Sequence, residues 1–176
     1  VPFFIRWDGR IKSSRDIGTI AAHLDLLPTL AALAGAEVPK NQVEGRNLLP
    51  LIEGGPDGWP DRCLFTHVAR WPTASDPDEH QYVNYGVRNQ RFRFVGPLDG
   101  SGKRQNKKPA PTSQGALYDL EADPLQTNDV SGEHPEVVAR MKSAYDAFWK
   151  EARPLMINET APMSSTKPFH ELYRKQ

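Results

Sequence analysis

The chain has 176 residues, with Lys+Arg and Asp+Glu both at 22 and a formal net charge of zero, a balance that speaks against a nucleic-acid binder with a basic face. A hydrophobic fraction of 38% and a mean hydropathy of −0.61 allow one ordinary core, and a compact chain of this size buries roughly 70% of its unfolded surface. The single cysteine, Cys63, excludes an internal disulfide framework, and no window approaches the ~20 apolar residues of a membrane span.

Residues 2–7 form an apolar, β-rich run closed by the turn pair Asp8-Gly9, the pattern of a buried strand. A second apolar and β-branched run covers 17–24. Asp25 then stands where a helix N-cap accepts from open first-turn amides, and Pro28 falls early enough for its missing N–H to cost little. Leu26, Leu27, Leu30, Leu33 and Ala34 have the 3–4 spacing of a buried stripe, and Gly35 offers a left-handed stop. A short helical turn is expected at 47–52, ended by Gly54-Gly55. The Gly, Pro, Asp and Trp content of 54–60 is that of a linker. It divides the chain into 1–58, the last strand and helix of a larger α/β domain, 59–152, a small C-terminal α+β subdomain, and a tail over 153–176.

In the second part, 62–68 alternates as a strand, with Cys63, Phe65 and His67 on one face and Leu64, Thr66 and Val68 on the other. Residues 71–80 are a polar, Pro-containing loop. A hairpin over 82–88 and 91–95 turns at Asn89-Gln90 and sets Phe92 and Phe94 opposite Arg91 and Arg93. Residues 96–115 have no periodicity, so Lys103, Arg104, Lys107 and Lys108 are read as a solvated surface excursion. A short strand at 116–120 is followed by a turn at 121–124. The clearest helix is 135–152, with Val138, Met141, Tyr145, Phe148, Trp149 and Ala152 along one stripe and Glu136, Arg140, Lys142, Asp146 and Lys150 opposed. The expected architecture is α+β: about four antiparallel strands packed on a long C-terminal helix.

Five segments, in order, resemble the C-terminal region of sulfatases of the alkaline-phosphatase superfamily. They are Val1-Pro2-Phe3-Phe4-Ile5-Arg6-Trp7; His23-Leu24-Asp25-Leu26-Leu27-Pro28-Thr29-Leu30 with Leu33-Ala34-Gly35; Gly45-Arg46-Asn47-Leu48-Leu49-Pro50-Leu51; Leu117-Tyr118-Asp119-Leu120 with Asp123-Pro124 and Asn128; and His134-Pro135-Glu136. The pattern departs at Gln126, where the family usually has an acid. The resemblance spans residues 1 to about 150. It implies a parent enzyme that hydrolyses a small-molecule or carbohydrate sulfate ester through a formylglycine nucleophile, with calcium as its metal, in a periplasmic or secreted setting. Related phosphonate or phosphodiester hydrolases share such a C-terminal region, and a non-catalytic recognition or oligomerisation module is the alternative of another class.

The residues that would carry that chemistry are not in this stretch. Formylglycine arises from Cys or Ser in a C/S-x-P-x-R motif, whereas Cys63 precedes Leu-Phe-Thr-His and Ser75-Asp76-Pro77-Asp78-Glu79 puts Glu where Arg is needed. The family's calcium ligands lie N-terminal to the region matched, and a hard dication needs about six converging oxygens. Asp76, Asp78 and Glu79, like Asp119, Glu121 and Asp123, are read instead as turn formers and caps. No catalytic or metal residue is therefore assigned; the N-terminal catalytic part of the same protein is the expected partner. His23 is read as structural and Cys63 as a small buried hydrophobe. Asn158-Glu159-Thr160 fits a glycosylation acceptor by pattern alone. His67, at the end of the small domain's first strand, and Arg70 after it are the candidates for the rim of a substrate pocket.

Overall fold

The structure is a computed structural model that describes residues 3–11, 14–38, 43–55, 59–68, 75–96, 115–156 and 173–174. The period-2 segments become β1 (Leu64–His67), β2 (Tyr85–Arg88), β3 (Phe92–Val95) and β4 (Ala116–Asp119), an antiparallel sheet in the order β1-β2-β3-β4. Asn89 fixes the β2–β3 turn: its side-chain oxygen accepts from the backbone N–H of Arg91 (3.1 Å) and Phe92 (2.6 Å). That turn sets the register, because a slip of one residue would send every side chain to the other face.

The register places Phe65, Val87, Phe94 and Leu117 side by side across the four strands. Val87, Phe94 and Leu117 are fully buried there beneath the long helix Pro135–Ala152. Val137, Met141, Tyr145 and Trp149 bury the helix face against this row, with Val138 and Phe148 partly buried beside them. Each such side chain contributes about 1.5–3 kcal/mol by leaving water. Sheet and helix form the α+β unit that the sequence pattern predicts. The helical repeat explains one difference. Lys142 lies at the flank of the stripe and holds its Nζ 5.3 Å from the Phe94 ring centroid, so its stem borders the core instead of facing away from it.

The first third of the chain departs further from expectation. Residues 3–7 form no strand, and Phe3 (57%) and Phe4 (89%) are exposed. A strand requires a neighbour to complete its ladder, and the described residues offer none there. The run at 17–24 is also not a strand; it ends in the 3-10 turn His23–Asp25, which leads into α1 (Leu26–Ala34). Gly35 stops α1 at φ 64°, as its position predicts. The leucine stripe is not buried, however: Leu27, Leu30 and Leu33 are 57%, 61% and 42% exposed, while Pro28, Thr29 and Ala31 face inward. The inner face was chosen by polar anchoring of Asp25 and Thr29, not by apolar count. Next, α2 (Leu49–Glu53) buries Leu51 and ends at Gly54, φ 112°. Residues 97–114, the expected surface excursion, and most of the tail lie outside the described residues.

Candidate functional site

His67 is the last residue of β1, on the face that looks toward α3 (Pro135–Ala152). Its ring lies 5.2 Å from that of Trp149 and 6.4 Å from that of Tyr145, and its Nε2 is 3.1 Å from the His80 carbonyl oxygen. Burial pushes the imidazole below its ordinary range, and the hydrogen bond to His80 only partly opposes this. The ring is therefore neutral at physiological pH and half-buried at the corner where β1 ends. Arg70, its predicted companion, lies outside the described residues.

The other side of this corner is the 3-10 turn Pro77–His80. Asp76 caps it by accepting from the Asp78 N–H at 3.0 Å. Asp78 in turn accepts from Trp149 Nε1 (2.9 Å) and Arg153 Nε (3.1 Å), while Arg153 Nη2 reaches Asp76 (3.2 Å). The Trp149 N–H, more than the nearby Arg153 charge, holds the Asp78 carboxyl below the usual range. Tyr145, fully buried, donates its hydroxyl to the Gln81 carbonyl (2.6 Å), and burial raises its phenol; the Tyr85 phenol beside it is pushed up to about 12 for the same reason. The segment 76–81 is thus tied to the end of α3 and the residue after it by Tyr145, Trp149 and Arg153. Sequence reading gave Asp76 and Asp78 their turn-forming part but not the Trp149 and Arg153 clasp, which joins positions more than seventy residues apart.

A second polar cluster joins the first third of the chain to the sheet. Asp25 is wholly buried, and both of its carboxylate oxygens are occupied. One accepts from the Arg46 N–H (2.7 Å) and Arg62 Nη1 (2.8 Å), the other from the Ala22 N–H (2.7 Å) and Arg62 Nη2. Burial alone would raise this carboxyl, but the Arg62 fork and the two amides outweigh it and keep it low. Asp25 thus reaches back to Ala22 ahead of the helical turn, instead of capping the first amides of α1. Gly45 makes the arrangement possible: a Cβ there would lie 2.0 Å from the Leu24 carbonyl oxygen. Trp59 closes the cluster, its ring 5.7 and 5.8 Å from the Arg46 and Arg62 guanidinium carbons and its N–H on the Ile20 carbonyl (3.3 Å). Gln90, at the β2–β3 turn, accepts from Ile20 N–H and donates to Gly18. His23, expected to be structural, is exposed beside this cluster. The sequence marked Asp25 but gave no signal of Arg62, because no spacing rule links residues 37 apart.

Neither cluster fits a metal cage. Among the described residues no group of three or more His, Cys, Asp or Glu side chains converges as a metal holder. The acids are engaged elsewhere: Asp119 with Arg91 (2.7 Å) and the turn amides, Asp123 with the amides of Thr127 and Asn128. Cys63 packs against the core, and burial raises its thiol, the reverse of an activated nucleophile. Among the described residues no helix is long and apolar enough to cross a membrane.

Residues 1–150 match the family described as N-sulphoglucosamine sulphohydrolase, C-terminal. Human arylsulfatase D is 29% identical over 174 residues, covering 88% of this chain and 28% of its own length. Human arylsulfatase A is 34% identical over 154 residues, covering 80% of this chain and 29% of its own. A solved sulfatase structure from Bacteroides thetaiotaomicron superposes with a TM-score of 0.48 at 22% identity, over 82% of this chain and 27% of that one. The chain therefore spans less than a third of the length of the curated relatives it matches.

Proposed function

This chain belongs to the sulfatase C-terminal family, and from that membership we propose that it is the closing part of an enzyme that hydrolyses sulfate esters. The observation that carries the reading is the family match over 150 consecutive residues, nearly the whole described fold. On this reading residues 1–58 complete a large α/β domain and 59–152 form the small subdomain. The exposed Leu27, Leu30 and Leu33 support the division: three leucines along one helix face are the surface a larger domain would cover. The catalytic part of the same protein is the proposed partner. It would supply the nucleophile and the calcium ligands, for which the described residues offer no fit.

The chain's own contribution is a rigid frame. The Asp25–Arg62 cluster fixes the sheet to the first third of the chain, and the Asp78–Trp149–Arg153 clasp fixes the segment that follows β1. His67 and Arg70 are proposed to border the substrate, His67 as a neutral donor or acceptor at the strand end. The test is turnover of 4-methylumbelliferyl sulfate and of a phenyl phosphonate ester by the intact protein and by this chain alone. Sulfate turnover by the intact protein only is expected. Turnover by the chain alone would overturn the scaffold role, and hydrolysis of the phosphonate without the sulfate would replace the sulfatase reading by its relative.

A further inference from the structure

The sheet has a second face, turned away from α3, and its charge is unbalanced. Leu64, Arg88, Arg93 and Tyr118 stand opposite one another across the four strands, and Thr66, Gly86, Val95 and Ala116 form the neighbouring row. The hydrogen bond from Asn89 N–H to the Phe92 carbonyl makes 89–92 a bonded pair. By alternation Arg88 and Arg93 are then a non-bonded pair, in which side chains come closest, with Cα atoms about 4.5 Å apart. Like charges so placed disfavour the strand pairing, and among the described residues no carboxylate pairs with either guanidinium. Neighbouring Arg91 is neutralised by Asp119, whereas Arg93 Nη1 donates at 2.7 Å to the neutral Gln126. That contact orients the Arg93 fork without cancelling its charge. Thr66 and Arg88 are exposed, and Leu64, Arg93 and Tyr118 half-exposed.

We propose that Arg88 and Arg93 together hold a sulfate group of a carbohydrate chain on this face of the sheet. Two guanidinium forks on directly opposed strand positions match the several oxygens of one tetrahedral anion, which a single lysine charge does not. The Tyr118 ring, next in the same row, gives a sugar an apolar face to lie on, and the Val95–Ala116 row beside it presents no opposing charge. The choice of a sulfated sugar rests on the sulfatase reading; the anion-binding geometry does not.

The test is calorimetric titration of the intact protein, wild type and Arg88→Gln/Arg93→Gln, with a size-defined sulfated hexasaccharide, its desulfated counterpart and inorganic sulfate. Expected is binding of the sulfated hexasaccharide that weakens at least tenfold in the double variant, with unchanged turnover of a small aryl sulfate and an unchanged Tm. Equal binding by wild type and variant, no binding by the wild type, or binding of inorganic sulfate alone would each overturn the proposal. A Gln126→Glu variant provides an independent check: it should weaken binding while leaving both arginines in place, and tighter or unaltered binding would refute the assignment. Since binding is measured without turnover, a protein that hydrolyses no sulfate yet loses the hexasaccharide on mutation would sink the catalytic reading and leave this site standing.

Discussion

Replacing Arg62 by Met should cost roughly 3 kcal/mol of folding stability. The Arg62 and Asp25 side chains are 9% and 0% exposed, so the substitution leaves a carboxylate in the interior without its cation. Breaking a buried pair by removing one partner costs about 3–5 kcal/mol. The lower end applies because Asp25 keeps two amide donors at 2.7 Å, from Ala22 and Arg46. With a urea m-value near 2 kcal/mol/M, the midpoint should fall by about 1.5 M. The loss should also depend on pH with a definite sign. In the wild type the folded Asp25 titrates below its unfolded value of about 3.9, so its contribution is complete above pH 4 and is lost as pH falls through the lower folded value. In the variant burial acts unopposed by the guanidinium and the carboxyl rises above that value, so the penalty is largest at neutral pH and shrinks on acidification. Urea melts at pH 7 and pH 4 measure both. A midpoint shift under about 0.5 M at pH 7, or a penalty that grows toward pH 4, would refute the view that Arg62 compensates a buried charge.

Trp149→Ala should cost about 3–5 kcal/mol, the range for deleting a buried aromatic, whereas Lys142→Ala, which loses only the stem bordering Phe94, should cost under about 1 kcal/mol; denaturant melts compare them. Gly45→Ala should destabilise by more than about 2 kcal/mol, because the added Cβ meets backbone, which a side-chain rotation cannot relieve; a variant that melts like the wild type would contradict the close approach to Leu24. His67 is held neutral by burial, so the unfolded chain takes up its proton first, and stability should fall as pH drops below about 6.5. His67→Phe should flatten that slope between pH 7 and 5. In the intact protein His67→Ala should lower kcat/KM about tenfold if the ring borders the substrate, and it should lower Tm as well, because the ring packs on Trp149 and Tyr145.

The four-stranded sheet and its helix were legible because their signals are local. Alternation of Phe92 and Phe94 with Arg91 and Arg93, the Asn89 turn and the long stripe from Met141 to Trp149 each dictate a face within a few residues. The first third was less legible, because its outcome depends on what lies beside it. The apolar run at 3–7 has strand composition but no ladder, and the leucine stripe of α1 points outward because Asp25 and Thr29, each fully satisfied inside, decide the helix's rotation. Thr29 donates to the Asp25 carbonyl and accepts from the Leu48 N–H, a bridge that hydrophobic periodicity cannot reveal. The Asp25–Arg62 pair and the Trp149–Asp78 bond were hidden for the same reason: they join residues 37 and 71 positions apart.

The strand order has a consequence for how the chain acquires its shape. Every strand pairs with its successor, so the sheet is assembled from neighbours in sequence. The first third attaches through contacts that close spans of 37 residues at Arg62 and 70 at Gln90. Closing long spans costs entropy before any contact forms, and such contacts come late in folding. Synthesis runs in the opposite order. On the ribosome Asp25 and the three leucines of α1 emerge well before Arg62 and Gln90 exist to hold them, so this stretch waits for its place until the strands behind it have been made.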